Sequence, residues 1–439
     1  MSNDSRTASP SAASAQVAEG AYRKVTLRLI PFLFICYLAA YLDRVNVGFA
    51  KLQMLTDLKF SETIYGLGAG IFFIGYFLFE VPSNILLARI GPRVWIARIM
   101  ITWGVLSAAM AFVNSPTSYY IVRFLLGLAE AGFFPGIILY LTYWFPQERR
   151  GRIVALFMTA VAFSGIVGGP LSGWILQNFS GAQGVAGWQW LFIIEGIPSV
   201  VLGVLTLFFL DDSLAAAKWL DADEKRLLQQ QLDADEAAKH TLSLGQVFGN
   251  LRVWLFSGIY FCFVMGLYGV GFWLPNIIKN AGVTNVLDIG LLSAVPYIVA
   301  AVAMVLLGRS SDRSGERHWH MIITSVLGAA GFLLSSAYGD NLPIALTGIT
   351  VATSAVLAAI SLSWSLPTAY LSGTAAAAGI AMVNSIGNLS GFVSPYLIGW
   401  IKDATQSLAG GLYLLAGSFL LGAILVLATK ALPPVSVKR

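Results

Sequence analysis

Asp43, Arg44, Arg123 and Glu130 are ionisable residues set in stretches otherwise rich in leucine, phenylalanine, alanine and glycine: YLDRVNVGFA at 41–50 and RFLLGLAEAGFFPG at 123–136. A charge at the centre of a bilayer costs about 2.5–3.5 kcal/mol even on the lenient insertion scale, so several together must face a wet cavity or one another. Carboxylates and guanidiniums in that setting suit two tasks, proton uptake and release by the acids and anion capture by the arginines. Arg123 and Glu130 are seven residues apart, about two turns, and so share a helix face with Gly127 between them. Gly132 and Gly136 allow close approach of a neighbouring helix, and Pro135 is expected to bend the far end of this one. Asp43 and Arg44, about 100° apart around their helix, cannot point at one spot; one is expected to face a cavity while the other reaches the Arg123–Glu130 helix. Glu80 and Glu195 lie nearer predicted helix ends, where a lock or snorkelling role is the plainer reading.

Other chemistries lack their residues. His240, His318 and His320 fall in polar loops, and the last two, at i and i+2, would not share a helix face, so no metal site is expected. Cys36 and Cys262 read as small buried hydrophobes. No phosphate-binding loop or dinucleotide fingerprint occurs in a strand–helix context, which argues against nucleotide chemistry, ATP-driven transport and a bound cofactor. No clustered nucleophile or carboxylate pair suggests an enzyme.

The elements that must position these groups are membrane helices. With 439 residues, 57% hydrophobic, 11% charged and a mean hydropathy of +0.75, the chain reads as an all-α integral membrane protein. Twelve apolar runs are long enough to span: 25–48, 62–83, 93–113, 117–144, 152–177, 188–210, 252–278, 287–308, 319–338, 343–370, 376–401 and 408–430. Residues 1–22, Ser/Ala-rich, are expected to be a disordered tail; 23–210 form the first six-helix bundle, 211–250 a linker with a solvated amphipathic helix, 251–431 the second bundle, and 432–439 a second tail. Arginines and lysines crowd the even-numbered connections, whereas the other side carries little beyond Lys51, Lys59, Lys279 and Lys402. The positive-inside rule then places both termini and the linker in the cytoplasm, so the net charge of +5 is a topology signal with no nucleic-acid stripe behind it.

The two halves repeat. FSGIVGGPLSGWI at 163–175 recurs as LSGFVSPYLIGWI at 389–401, and ARIGPRVW at 88–95 recurs as DRSGERHW at 312–319. Six helices per half is an even number, so the halves enter the membrane alike, as in transporters whose parallel repeats rock about a midplane site. Arg89, Arg93, Asp312, Arg313 and Arg317 in the two loops are candidate gating residues, although Ala88 stands where the second copy has Asp312. In the second half Tyr268, Trp364, Asn384 and Asn388 offer aromatics and amides to wall the uncharged part of a substrate.

Together, the six-plus-six repeat, YLDRVNVGFA, RFLLGLAEAGFFPG, YWFPQERRGR at 143–152 and GRSSDRSGER at 308–317 resemble the major facilitator superfamily, and within it the anion:cation symporter family. The resemblance implies two parallel six-helix bundles and uptake of an organic anion with a proton, or less commonly sodium, by a monomer in a bacterial inner membrane. It places proton coupling on Asp43 and Glu130, and substrate binding on Arg44, Arg123, Tyr41, Tyr76, Asn384 and Asn388. Glu80 replaces the glutamine usual in the sugar-acid branch, and with WQWLFIIEGIPS at 188–199 this makes the chain most similar to tartrate, phthalate and hydroxyphenylacetate permeases. A proton-driven exporter of drugs or metabolites on the same fold is the alternative, which two buried arginines disfavour for a cationic cargo.

Overall fold

A computed structural model describes residues 12–237, 249–370 and 373–431; Lys239 and His240 lie outside the described residues, as do 1–11 and 432–439. In hydrocarbon every backbone N–H and C=O must be satisfied within the protein, and the chain meets that demand with helices. Span 1 is α1 (Ala12–Val45) and α2 (Val47–Leu58), span 2 is α3 (Glu62–Ile90) and span 3 is α4 (Pro92–Ala109). Span 4 is α5 (Pro116–Glu130) with α6 (Phe133–Thr142), span 5 is α7 (Gln147–Met158) with α8 (Ala160–Asn178), and span 6 is α9 (Gly187–Phe209). After the linker helix α10 (Ala222–Ala237) come α11 (Leu251–Asn280), α12 (Val286–Ser314), α13 (His318–Ala337), α14 (Leu342–Ser363) with α15 (Ser365–Tyr370), α16 (Gly373–Thr405) and α17 (Ala409–Ala431). Polar residues at the membrane edges start several of them. Ser61 accepts from Ile64 N, Ser115 forms a capping box with Ser118, and Asn341 accepts from Ile344 N.

The twelve expected spans are all present as helix and form two parallel six-helix bundles; among the described residues eleven of them, all but α16, are also long and apolar enough by themselves to cross a membrane. Three corrections concern their edges and bends. Helix α1 begins at Ala12, inside the stretch expected to be a tail, because Ala18, Ala21 and Tyr22 are buried and the Tyr22 hydroxyl donates to Gln231 Oε1 of α10 at 2.7 Å. Helix α10 is accordingly docked rather than solvated: Leu228 is buried, Glu224 takes Lys24 at 2.5 Å and Asp235 takes Arg150 at 3.3 Å. Span 4 breaks at Ala131–Gly132, earlier than Pro135 itself, since a proline ring clashes with the carbonyl four residues back, here that of Ala131. Gly132 makes the turn with a left-handed φ of 85°.

The bundles meet along two seams, α3 against α16 and α8 against α12, with α2 also reaching α11. Both seams are closest near the side of the membrane that carries Lys51 and Lys402. There Gly66 lies on the Pro395 carbonyl, Gly70 on Phe392, Gly173 on Val286, and Gly169 and Gly290 on one another's carbonyl oxygens. The bundles are thus shut on the lysine-bearing side.

A side chain at Gly290 would strike Gly169 across the seam without entering its own bundle. Overpacking costs about 1–3 kcal/mol, so Gly290→Val is expected to fold normally yet shift the closed–open balance about five- to 150-fold. Labelling of a Ser293→Cys reporter from the lysine-bearing side, in a background without Cys36 and Cys262, should rise correspondingly.

Candidate functional site

Two helix breaks bring the charged groups together. Arg44 lies in the last turn of α1, just before the break at Asn46, and Glu130 is the last residue of α5 before the break at Ala131–Gly132. Broken helices at mid-membrane are where transporters of this architecture place their sites, because freed backbone ends and polar side chains can line a cavity. The Arg44 guanidinium sits on Glu130: Nη2 and Nε (3.1 Å) both donate to the single oxygen Oε1, and Oε2 has no partner. The rings of Phe72 and Tyr76 flank the guanidinium carbon at 5.6 and 5.5 Å, with Tyr41 at 6.0 Å and its hydroxyl unpartnered. From the second bundle, the Tyr268 hydroxyl receives Arg44 Nη1 at 3.3 Å and donates to Asn388 Oδ1 at 3.4 Å. Arg44 therefore contacts Glu130 of its own bundle and a tyrosine of the other.

Asp43 goes elsewhere and makes no bond to either arginine. Its position about 100° from Arg44 turns it into the first bundle between α4 and α9. There Oδ2 accepts from Trp103 Nε1 at 2.9 Å and Ser199 Oγ at 2.5 Å, and Oδ1 accepts from Ser107 Oγ at 2.7 Å. One donor is a fixed N–H and two are hydroxyls that can reverse. Such a shell holds the carboxyl in either charge state.

Arg123 is fully buried and lies on α3, donating Nε to the Gly68 carbonyl and Nη2 to the Ala69 carbonyl, both at 3.2 Å, with its guanidinium over Phe72 at 5.0 Å. It shares a face with Glu130 as expected, yet no bond joins the two. Nη1 remains without a partner.

Glu80 is buried at the α3–α16 seam, where Asn384 Nδ2 donates to Oε1 at 3.2 Å and Ser385 Oγ to Oε2 at 3.3 Å. It is a bond between bundles, deeper than a membrane-end snorkel. Trp364 is half-buried at the α14–α15 junction and packs on Tyr260, ring centroids 4.8 Å apart, rather than on Arg44. Of the predicted binding residues, the structure gathers Arg44, Tyr41, Tyr76, Tyr268 and Asn388, sets Asn384 beside them through Glu80, and leaves Arg123 and Trp364 in separate contacts.

None of the five predicted gating residues bonds across the bundles. Arg93 holds Asp212 at the start of the linker, Asp312 and Arg317 pair with each other at 3.7 Å, and Arg89 and Arg313 are exposed. The charged contact between bundles is on the opposite side. Glu62 of α3 bridges Lys51 of α2 and Lys402 of α16, each at 2.6 Å, and Asp403 accepts from the backbone N–H of Glu62 (3.1 Å) and Thr63 (2.7 Å) at the start of α3. The Lys51 ammonium lies 3.3 Å from the centroid of the buried Trp273 ring and 4.6 Å from that of Tyr65. In the sequence these residues are ordinary charges at span ends; only the few lysines on that side hinted at them.

Among the described residues no cluster of histidine, cysteine or acidic groups is arranged for a metal ion. The model of the Major Facilitator Superfamily matches residues 33–395. The chain belongs to that family. It is 51% identical over 418 residues, 95% of this chain and 92% of its relative, to a protein of Agrobacterium vitis provisionally described as a tartrate transporter. It is 42% identical, over 92% and 93%, to a quinolone resistance transporter of Acinetobacter baumannii. The xylose transporter XylE from E. coli, in a partially occluded inward open conformation, superimposes with a TM-score of 0.74 over 94% of this chain and 99% of that one, at 15% identity, which is a likeness of fold. This Major Facilitator protein is therefore a multi-pass membrane transporter and not an enzyme.

Among the described residues Glu62 is the only carboxylate joined to both lysines, so Glu62→Gln should loosen the lysine-side closure far more than Asp312→Asn at the opposite loop. Partly buried charge pairs are worth a few kcal/mol when one partner is lost, so labelling of Ser293→Cys is expected to rise at least about tenfold in Glu62→Gln and to stay near the parent level in Asp312→Asn.

Proposed function

We propose that this transporter takes up a small organic carboxylate, such as tartrate or a related hydroxy or aromatic acid, together with a proton by alternating access. The observation that carries the reading is the Arg44–Glu130 pair, which reaches Tyr268 and Asn388 of the second bundle. An ionised Glu130 occupies the guanidinium that an incoming carboxylate needs. Protonation of Glu130 weakens that hold and frees Arg44 for the substrate, so proton and anion bind with positive coupling. The anion, once on Arg44, also meets Tyr268, which ties it to the other bundle. Tyr41 and Tyr76 shape the space around it, Asn384 and Glu80 lie beyond, and Arg123 supports α3 and adds positive potential. Asp43, held in a shell indifferent to its charge, is the second proton carrier. Taking the arginine-rich side as cytoplasmic, the chain works in the bacterial inner membrane as a monomer with both termini inside, and the structure is its form closed to the outside. The 51% identity to a protein described as a tartrate transporter supports this cargo class.

The exporter reading draws on the similarity to the quinolone resistance transporter. A cationic drug would meet an arginine, not a free acid, at the centre of the site, and the geometry favours the anion.

Proteoliposomes with an acid-outside gradient and labelled tartrate, competed by sugar acids and aromatic acids, test the reading. Gradient-driven accumulation is expected in the wild type. Glu130→Gln keeps a neutral partner on Arg44 and should abolish accumulation while retaining exchange of labelled for unlabelled substrate, and Asp43→Asn should do the same. Glu130→Ala leaves a buried guanidinium alone, costing about 3–5 kcal/mol, and should lose folded protein as well. Undiminished accumulation in Glu130→Gln and Asp43→Asn would overturn the coupling scheme.

A further inference from the structure

Glu195 takes no part in the scheme above, yet it is among the most completely enclosed acids in the protein. It lies on α9, 4% exposed, eight residues into the helix and well below the membrane edge. Ser172 Oγ of α8 donates to its Oε1 at 2.7 Å, and Oε2 has no partner. Ser199, one turn further along the same face of α9, donates to Asp43 Oδ2, so a continuous polar seam runs from Glu195 to Asp43 through α9. Around it α4 contributes Trp103 and Ser107, both spent on Asp43, and α2 contributes Lys51, which is turned away onto Glu62. Among the described residues, neither acid is paired with a base.

Asn46, 1% exposed at the kink between α1 and α2, stands beside the Glu195 carboxyl, close enough for its side chain to share a hydrogen bond with it. Asn46 and Ser172 line a cavity of about 20 Å³, walled from the second bundle by Ser293 and Tyr297. One water needs roughly 10–15 Å³ and two to four polar partners, so the cavity is the right size and polarity for a single water. Directly beside it Gly169 and Gly290 press the bundles together. Its outlet is therefore the seam that must part when the protein opens to the lysine-bearing side.

We propose that Glu195 and Asp43 form one shared proton-binding site inside the first bundle, loaded from the outside through a water held by Asn46 and Ser172. A proton passes from that water to the free Oε2 of Glu195. Excess negative charge in the pair falls by one, and once the seam has shut behind it the proton leaves while the protein is open to the opposite side. Closure of α8 on α12 seals the site, so proton access alternates with the transport cycle although Glu195 never touches the anion. Glu195 takes up the proton and shares it with Asp43. The inference rests on the proton-coupled reading, and its test reads proton binding separately from transport.

The purified protein in lipid is titrated between pH 5 and pH 8 by difference infrared spectroscopy, which follows protonated carboxyl bands directly. Glu195→Gln is expected to remove or shift one protonated-carboxyl band and, in proteoliposomes, to lower gradient-driven tartrate accumulation at least tenfold while exchange persists. Asn46→Leu and Ser172→Ala should leave the band in place and slow its shift on transfer to deuterated water several-fold. A Glu195→Gln spectrum identical to wild type, or hydrogen–deuterium exchange unchanged in both cavity variants, overturns the proposal. A band that vanishes in Glu195→Gln, in a wild type that accumulates no tartrate under the gradient, leaves the proton site standing and overturns the symport reading alone.

Discussion

A guanidinium buried in the middle of a membrane cannot be left alone, and the way Arg44 is satisfied organises much of this protein. Its partner, Glu130, presents one oxygen to both donors and keeps the other free. That arrangement is stable enough to bury yet incomplete enough to exchange, because a proton on the carboxyl or an anion on the guanidinium can take the place of either half. Each residue sits where its span departs from a straight helix: span 1 kinks at Asn46, which keeps helical torsions, and span 4 breaks at Ala131–Gly132 under Pro135. Continuous helices would carry the same residues past one another.

The remaining buried charges are satisfied within one bundle or across both, and the difference sorts them by task. Asp43, Glu195 and Arg123 are held by groups of the first bundle, so rocking of the bundles leaves their bonds intact. Arg44–Tyr268, Glu80–Asn384 and Lys51–Glu62–Lys402 cross between bundles, and each must break or lengthen as the protein changes state. Glycines on α3, α8, α12 and α16 let the backbones approach at the closed side, where there is little hydrophobic driving force between helices and close packing must supply the adhesion.

The Lys51–Glu62–Lys402 cluster and the Gly169–Gly290 contact lie on the same side of the site, one charged and one tightly packed. Charges are screened and rehydrated readily once the seam opens, whereas the glycine contact is lost abruptly with distance. The loops with Arg89, Arg93, Asp312, Arg313 and Arg317 are on the open side and carry contacts within their own bundles.

The sequence alone determined the membrane class, the twelve spans, the parallel repeat and which ionisable residues fall within apolar runs, because hydropathy, helical period and the cost of a buried charge act locally and leave their mark residue by residue. It also placed Arg44 and Asp43 on different faces. Which face met which neighbour was decided only by the tertiary structure. Pairing of Arg44 with Glu130, the all-hydroxyl and indole shell of Asp43, the docking of α10 on α1 and the lysine lock join residues 86, 156, 209 and 340 positions apart in the chain. Such partners depend on how rigid helices tilt, break and cross, and a helix with two polar faces satisfies its period equally well whichever of them turns toward the site.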